Sequence, residues 1–288
     1  METIHLTHPM KEHFEIQEPH VMALGFFDGV HLGHQFLLQQ AKKIAHKKNC
    51  KLSVMTFDPH PSEIIKCETD RKYLTPLSSK LEEMSHFDVD KVFVMEFTML
   101  FASLPASEFI NQYITNLHAT HIVVGFDFTF GYKAQGNVDY LRKARKYNLF
   151  DVTVISKRIT NDHKISSTLI RELIREGDVQ LVPYYLGKHY EIKGLINFPK
   201  DLTIQQKLNR IEFQIQGKYV LPKRGLYKVE IANRDYAIQG FLKYSGSPKN
   251  RFELSSNKLE RLKEVNQQEI TVKFLDRVAY MDKVPIKN

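Results

Sequence analysis

Five short apolar runs alternate with segments of helical periodicity over the first half of the chain, and this alternation constrains the fold more than any other feature. Several runs are nearly continuous in apolar residues, which is typical of strands that a parallel sheet buries on both faces. The segments Phe36–Ala45 and Phe109–Leu117 repeat apolar residues at helical spacing. We therefore predict a doubly wound α/β domain. The predicted strands are Val21–Gly25, Lys51–Phe57, Lys91–Phe97, His121–Gly125 and Asp151–Ile155.

The sequence pattern changes after a final predicted helix, Ser166–Glu176. The β-like stretches that follow are separated by Gly, Pro, Asn and Lys turns, which is typical of a small antiparallel barrel or sandwich. We predict a Rossmann-like α/β domain over residues 1–186 and a small antiparallel β-barrel domain over residues 187–288. The β-like stretches are Ile211–Val220, Gly225–Ala232, Tyr236–Leu242 and Glu269–Leu275.

The net charge of +8 is carried by the C-terminal part of the chain. Residues 1–186 hold 21 basic and 22 acidic side chains, whereas residues 187–288 hold 20 and 11. This excess fits a surface for RNA or another polyanion, but we favour a lysine-rich solvated face. No apolar run is long enough for a membrane helix, and the N-terminus lacks the apolar core of a signal peptide. With Cys50 and Cys67 as the two cysteines, we expect a cytoplasmic protein without disulfides or a structural metal site.

The sharpest chemical signal is the run G-F-F-D-G-V-H-L-G-H, where the first predicted strand passes into the first predicted helix. Glycines let a backbone approach a phosphate closely, and a helix N-terminus directs free N–H groups at the anion. His31 and His34 are three residues apart, so they face the same way on a helical turn. Such a pair also suits a metal, but the glycine-flanked spacing favours phosphate over zinc. The predicted binding residues are Gly25, Phe26, Phe27, Asp28, Gly29, His31, Gly33 and His34.

A second signal is the run K-I-S-S-T-L-I-R, which places hydroxyl groups at a predicted helix start and an arginine one turn later. Ser-Ser-Thr alone is typical of a helix N-cap. Arg171 favours an additional role, because a guanidinium makes short charge-assisted bonds to phosphate oxygens. Arg171 with hydroxyl and amide donors suits the β- and γ-phosphates. The residues of this run predicted to bind ATP are Lys164, Ser166, Ser167, Thr168 and Arg171.

Two aromatic clusters follow predicted strands, one at Phe57–Pro61 and the other at Gly125–Gly131 with a continuation to Asn137. Aromatic residues at these places either pack in the core or offer stacking faces to a flat heteroaromatic substrate. The sequence leaves both interpretations open.

The four motifs, in this order, resemble those of the prokaryotic bifunctional riboflavin kinase/FAD synthetases: G-x-F-D-G-V-H-x-G-H, T-F-D-P-H-P, G-x-D-F-x-F-G and I-S-S-T-x-I-R. The resemblance implies an FMN adenylyltransferase that transfers AMP from ATP to FMN, with Mg²⁺ accompanying ATP, and yields FAD and pyrophosphate. It implies catalytic roles for His31, His34 and Arg171, and a place beside ATP for Asp127. The FMN-binding residues that it implies are Phe57, Asp58, Pro59, His60, Phe128, Phe130 and Asn137.

The C-terminal part departs from the family pattern. The family's second domain is a riboflavin kinase, a six-stranded barrel with the signature G-x-P-T-A-N, and Tyr190–Gly194 resembles its opening strand. The signature is missing before Leu221–Tyr227, where Asn209–Phe213 stands instead. Glu253 aligns with the kinase's catalytic glutamate, but it has no ATP ligands to work with. We therefore predict a degenerate, kinase-like barrel that does not phosphorylate riboflavin.

Three other functions stay open at this level. The chain fits a bifunctional kinase and FAD synthetase, or a flavin-responsive regulatory protein whose basic C-terminal part contacts RNA. It also fits an enzyme with another acceptor, since H-x-G-H is shared by nucleotidylyltransferases that act on sugars, lipid head groups or pantetheine. The aromatic clusters favour a flavin. ATP and FMN are the expected partners, and the sequence makes no prediction of the oligomeric state.

Overall fold

A computed structural model describes residues 1–10, 18–145, 150–160, 163–196, 210–233, 235–246, 252–259 and 269–280. These residues belong to two compact units. The first unit comprises Met1–Arg71 and Thr75–Ile165, and the second comprises Lys72–Leu74 and the described residues from Ser166 onwards. The sequence predicts a domain boundary between residues 186 and 187. That boundary refers to parts of the chain that fold independently, which compactness does not test, so it stays a prediction.

The first unit is organised around a parallel sheet. Its strands are β1 (Glu2–Leu6), β2 (His20–Leu24), β3 (Lys51–Asp58), β4 (Lys91–Glu96), β5 (Ala119–Gly125), β6 (Thr129–Phe130), β7 (Gly136–Asn137), β8 (Asp151–Ile155), β9 (Ile159–Thr160) and β10 (His163–Lys164). Six of them pair in parallel in the order β1-β4-β3-β2-β5-β8. The short strands form two antiparallel ribbons, β6 with β7 and β9 with β10.

Helices connect the strands of this sheet. They are α1 (Leu32–Lys47), α2 (Pro61–Ile65), α3 (Leu77–Ser85), α4 (Met99–Ala102), α5 (Ala106–Ile110) and α6 (Val138–Ala144). A π-helical segment, Asn111–Thr115, continues α5. Within the described ranges, no helix is long and apolar enough to span a membrane.

The sheet has a hydrophobic core on each face. Along β2, Val21 and Ala23 point into one core and Met22 and Leu24 into the other. Leu38 of α1 packs in the first core, whereas α5 and the π-helical segment pack in the second. Burial on both faces explains why the strand sequences are continuously apolar rather than alternating.

The predicted doubly wound parallel sheet is confirmed, and the five predicted strands agree with the observed bounds to within two residues at each end. Strand β1 was not predicted. It lies at the edge of the sheet, where four of its five residues remain at least partly exposed, so its sequence lacks a continuous apolar run.

The second unit contains a closed antiparallel barrel. Its helices are α7 (Ser167–Glu176) and α8 (Pro183–Leu186), and its strands are β11 (Glu191–Ile196), β12 (Arg210–Ile215), β13 (Gly225–Ala232), β14 (Ala237–Tyr244), β15 (Phe252–Ser255) and β16 (Glu269–Tyr280). The strand order is β11-β12-β15-β14-β13-β16, closed on itself. Burial alternates along β13 and β14, so every second side chain points inward. The barrel prediction is confirmed, whereas β15 was not predicted as a strand.

The segment that stands in place of the kinase signature forms part of this barrel. Strand β12 pairs with β15, with Ile211 opposite Leu254 and Glu212 opposite Glu253. Asn209 lies outside the described residues. Glu253 is half-buried between the inward-facing Phe252 and Leu254.

Candidate active site

The G-F-F-D-G-V-H-L-G-H motif lies at the predicted junction between β2 and α1. Its backbone takes left-handed conformations at Phe27 (φ 59°), Gly29 (φ 80°) and Val30 (φ 42°). Positive φ is unusual for a β-branched residue such as valine. Backbone held in this way is typical of functional turns, where the surrounding structure must stabilise the conformation.

His31 caps the N-terminus of α1. Its Nδ1 accepts a hydrogen bond of 3.2 Å from the backbone N–H of His34. Because Nδ1 accepts, we assign the proton of the neutral ring to Nε2. The His34 ring stacks on the His31 ring, with centroids 3.6 Å apart and an interplanar angle of 11°. The Nδ1 atom of His34 is buried and has no partner among the described residues, as expected where a ligand or water completes the bonding.

Both imidazoles are neutral at neutral pH. Burial lowers the pKa of His31 from 6.5 to about 4, although the nearby Asp127 carboxylate opposes this shift. Burial also lowers the pKa of His34 well below its ordinary value, and the neighbouring His31 and Lys80 add to the effect. The pair therefore offers hydrogen-bond donors without charge, so any positive charge for a phosphate ligand must come from other groups or from protonation on binding.

Two glycines leave room for the rings of this motif. A Cβ atom on Gly33 would lie 3.2 Å from both Cε1 and Nδ1 of His31. A Cβ atom on Gly25 would lie 3.0 Å from the Phe27 ring. Both distances are shorter than ordinary carbon contacts, so side chains at these positions would displace the rings.

Asp28 links the turn to the segment that precedes α3. Its carboxylate is buried and accepts a hydrogen bond of 3.2 Å from the backbone N–H of Thr75. The hydroxyl oxygen of Thr75 in turn accepts a bond of 3.0 Å from the N–H of Gly29. The sequence interpretation placed Asp28 beside ATP, and the structure adds that one of its oxygens holds the segment before α3.

Lys80 of α3 is a charged residue near the motif that the sequence interpretation missed. Its side chain is 2% exposed, and its Nζ donates to the backbone oxygen of Phe26 at 3.1 Å and to Oγ1 of Thr56 at 3.0 Å. The surrounding sequence L-S-S-K-L-E-E-M resembles an exposed amphipathic helix, so nothing in it signals a buried ammonium group.

The T-F-D-P-H-P motif begins at the end of β3 and leads into α2. The His60 ring packs edge-on against Phe26, with centroids 4.4 Å apart. Nδ1 of His60 accepts a bond of 3.0 Å from the backbone N–H of Ser62, and Glu63 completes a capping box. His60 therefore orders the start of α2 and joins this motif to the G-F-F-D-G turn.

The G-F-D-F-T-F-G motif follows β5. Asp127 forms an ion pair of 2.9 Å with Lys164, and both side chains are exposed. The Lys164 ammonium also lies 4.6 Å from the centre of the Phe126 ring. His31 follows β2 and Asp127 follows β5, and these two strands are parallel neighbours. The predicted nucleotide residues of the first unit therefore meet beyond the carboxyl ends of these strands, where Asp127 and Lys164 act electrostatically on His31.

An apolar cavity of about 580 Å³ opens where β3 and β4 end. Of the predicted FMN residues, Phe57 and Phe130 line it. Asp58, Pro59, His60, Phe128 and Asn137 are not part of its wall, although Phe128 stacks on Phe130 and Asn137 caps α6. Further wall residues that the sequence interpretation missed are Phe97, Met99, Phe101, Leu104 and Tyr132.

The I-S-S-T-x-I-R motif crosses from one compact unit to the other. Lys164 and Ile165 belong to the first unit, and Ser166, Ser167, Thr168 and Arg171 belong to the second. Ser166 is the N-cap of α7, and its hydroxyl accepts a bond of 3.3 Å from the N–H of Leu169. The N-cap interpretation is therefore confirmed for Ser166, and phosphate binding by this segment stays a prediction.

Comparison with known proteins identifies the family to which these motifs belong. The sequence profile described as FAD synthetase matches residues 13–169, more than half of the chain. The chain belongs to the FAD synthetase family. This is a family of nucleotidyltransferase enzymes, and the resemblance inferred from the motifs is confirmed.

The chain is similar in sequence to two curated bacterial proteins and in fold to one solved structure. The Listeria monocytogenes "Bifunctional riboflavin kinase/FMN adenylyltransferase" is 39% identical over 80% of this chain and 73% of its own length. A shorter L. monocytogenes protein, named "FAD synthetase", is 36% identical over 73% of this chain and 80% of its own. A crystal structure titled "Macrolide-efflux Protein from Streptococcus pneumoniae" has a TM-score of 0.81 and 24% identity, and covers 98% of this chain and 93% of its own. That likeness concerns the fold alone.

Proposed function

We propose that this protein is an FMN adenylyltransferase that joins the AMP moiety of magnesium-bound ATP to FMN and releases pyrophosphate. The observation that carries the proposal is that a glycine-flanked imidazole pair and an aromatic cavity both lie beyond the carboxyl ends of strands of a parallel sheet. Open α/β sheets bind their ligands at these carboxyl ends. The two features match the two substrates.

The imidazole pair and the start of α1 suit the triphosphate. Nε2 of His31 carries the proton when Nδ1 accepts from His34, so it is available as a donor. The free N–H groups and the dipole at the N-terminus of α1 favour an anion at the same place. Lys164, paired with the exposed Asp127, is a solvent-accessible positive charge that can form a charge-assisted bond to a phosphate.

The apolar cavity suits the flavin ring system. Its volume of about 580 Å³ is in the range of small-molecule sites, and its aromatic wall offers stacking faces. We propose that Phe57 and Phe130 contact the ring, with Phe97, Met99 and Tyr132 as further wall residues. Asp58, Pro59, His60, Phe128 and Asn137 remain proposed for the less apolar parts of FMN.

The reaction requires no covalent bond to the protein. A phosphate oxygen of FMN attacks the α-phosphorus of ATP, the bond from that phosphorus to the β-phosphate oxygen breaks, and pyrophosphate leaves with the bonding electrons. Catalysis then consists of alignment and of donors that stabilise the charge spreading over the phosphoryl oxygens. We propose that His31 and His34 supply such donors, and that Ser166, Ser167, Thr168 and Arg171 hold the β- and γ-phosphates.

We further propose that the barrel does not phosphorylate riboflavin. The proposal is supported by the missing G-x-P-T-A-N signature, in whose place the strand β12 begins. Glu253 alone offers no ligand set for ATP. The protein would then depend on FMN that another enzyme makes.

One product assay tests both proposals. Purified protein is incubated with Mg-ATP and either FMN or riboflavin, and the flavins are separated by chromatography, with His31→Ala as a control for contaminating enzymes. FAD from FMN and no product from riboflavin is the expected result. FMN or FAD formed from riboflavin would refute the loss of kinase activity, whereas no FAD from FMN would refute the adenylyltransferase.

A further inference from the structure

Lys80 is the most deeply buried charged side chain near the candidate site, and the proposed reaction assigns it no role. Its ammonium lies under the G-F-F-D-G turn, 4.1 Å from the centre of the Phe26 ring. It donates to the Phe26 backbone oxygen and to the Thr56 hydroxyl, which itself donates to the Phe26 oxygen at 2.9 Å. Two donors thus hold one carbonyl at the exit of β2.

The charge of Lys80 is poorly balanced inside the protein. Its ammonium forms no ion pair within 4.0 Å with any residue in the described part of the chain. The carboxylates of Asp28 and Asp58 stabilise the ammonium charge only by electrostatic attraction at longer range. Oδ1 of Asp28 accepts a hydrogen bond from the backbone N–H of Thr75. Burying an ammonium group without a carboxylate partner is costly, and an apolar side chain of similar shape is commonly as stable or more stable. Stability of the fold therefore does not explain this lysine.

The position of Lys80 relative to the motif gives it a use. Holding the Phe26 oxygen inward keeps a repulsive carbonyl away from an anion at the N-terminus of α1, where the helix dipole favours negative charge. Its charge also acts on His34 and helps to keep that ring neutral. The Phe26 ring lies over the ammonium and also contacts the His60 ring. This contact connects the G-F-F-D-G turn to the segment that follows β3.

We propose that Lys80 is a positioning residue for adenylyl transfer, which fixes the Phe26 carbonyl behind the turn and supplies a buried positive charge that bound triphosphate balances. This inference rests on the proposed function. It assigns to the reaction a residue that lies in none of the four sequence motifs.

The inference predicts a particular pH dependence. Burial lowers the pKa of Lys80 from 10.5 to about 8, although Asp28 and Asp58 oppose the shift. The charged or titratable groups that face it are Asp28 at the turn, Asp58 at the end of β3 and His34 on α1. Lys80 loses its charge as the pH rises through its pKa, so ATP should bind more weakly above about pH 8. Bound triphosphate should in turn raise the pKa of Lys80.

The decisive variant is Lys80→Met, which keeps the length of the side chain and removes its charge. Initial rates of FAD formation give kcat and the KM for ATP between pH 6.5 and 9.5, and thermal unfolding is measured on the same samples. We expect an unchanged or higher Tm, a fall in kcat/KM for ATP of roughly 10²-fold as for misplaced reacting groups, and loss of the alkaline decline. Lys43→Met, at an exposed lysine of α1, should match the wild type.

A second variant guards against misfolding of the first. Thr56→Val removes one acceptor from the ammonium and keeps the lysine, so the alkaline decline should move to lower pH. The inference is overturned if either folded variant has the wild-type kcat/KM and the wild-type pH profile, or if Lys80→Met loses stability and keeps its activity. Failure of the proposed function gives a different result, since the wild-type protein would then form no FAD at any pH.

Discussion

Replacing Gly33 by alanine should separate activity from stability. Gly33 is the second residue of α1, and its backbone is not in the left-handed region, so alanine fits the helix. In a helix interior this replacement contributes about 0.5–1 kcal/mol of stability, and somewhat less near an end. The new Cβ lies 3.2 Å from the His31 ring, with Ile165 as its next neighbour at 4.0 Å. The ring must therefore move by a few tenths of an ångström.

The expected loss of activity follows from that movement. A misplacement of about 1 Å near a reacting centre costs about 10²-fold in rate, so a few tenths should cost roughly tenfold in kcat/KM. The shift also disturbs the bond between His31 Nδ1 and the His34 N–H, and with it the aim of the Nε2 donor.

The assay compares steady-state FAD formation and thermal unfolding for Gly33→Ala and for Gln39→Ala, an exposed position on the same helix. Gln39→Ala should leave both kcat/KM and the His31 geometry unchanged. Wild-type kcat/KM in a folded Gly33→Ala protein would refute the reasoning, because it would mean that the His31 ring position does not limit the reaction. A stability loss above about 1 kcal/mol would refute the idea that the ring yields easily.

Three further outcomes are expected. His31→Ala should lower the single-turnover rate constant of FAD formation by about 10²–10³-fold, as for the loss of one preorganised donor, and a loss below tenfold would contradict the assignment. Met99→Asp, on the cavity wall and 63% exposed, should raise the KM for FMN at least tenfold without changing Tm, whereas its neighbour Leu100→Asp, 55% exposed, should not. Burial lowers the pKa of His31 from 6.5 to about 4, so between these two pH values the unfolded chain binds more protons than the folded chain. The free energy of unfolding should therefore fall as the pH drops from about 6.5 to about 4. Urea titrations at about pH 4.5 should show that His31→Gln removes roughly 2–3 kcal/mol of this loss, since each pKa unit corresponds to about 1.4 kcal/mol.

Features that depend on neighbouring residues could be predicted from the sequence. The G-F-F-D-G-V-H-L-G-H run predicted a strand-to-helix turn because glycine conformation and helix capping depend on neighbouring residues. The same holds for Ser166 at the start of α7. Continuous apolar runs predicted the buried strands for a similar reason, since each run reports burial on both faces of the sheet.

Roles that depend on contacts between residues far apart in the chain could not be predicted from the sequence. Phe97 and Phe101 look like core residues in the sequence, and they are core residues on one side while their other side lines the cavity. Lys80 is buried by residues more than twenty positions away in the chain, such as Thr56 and Phe26. A single sequence carries no periodic signal for either arrangement.

The closed barrel of the second unit has an evolutionary consequence. Each of its six strands has a hydrogen-bonded neighbour on both sides, so the described strands leave no open edge that could pair with another chain. Inward-facing residues such as Val229, Leu242 and Phe274 fill the barrel, whereas every second side chain of β14 faces outward. Substitutions at outward-facing positions can accumulate in a lineage at little cost to the scaffold, so a barrel can be inherited after an activity carried by its surface has been lost.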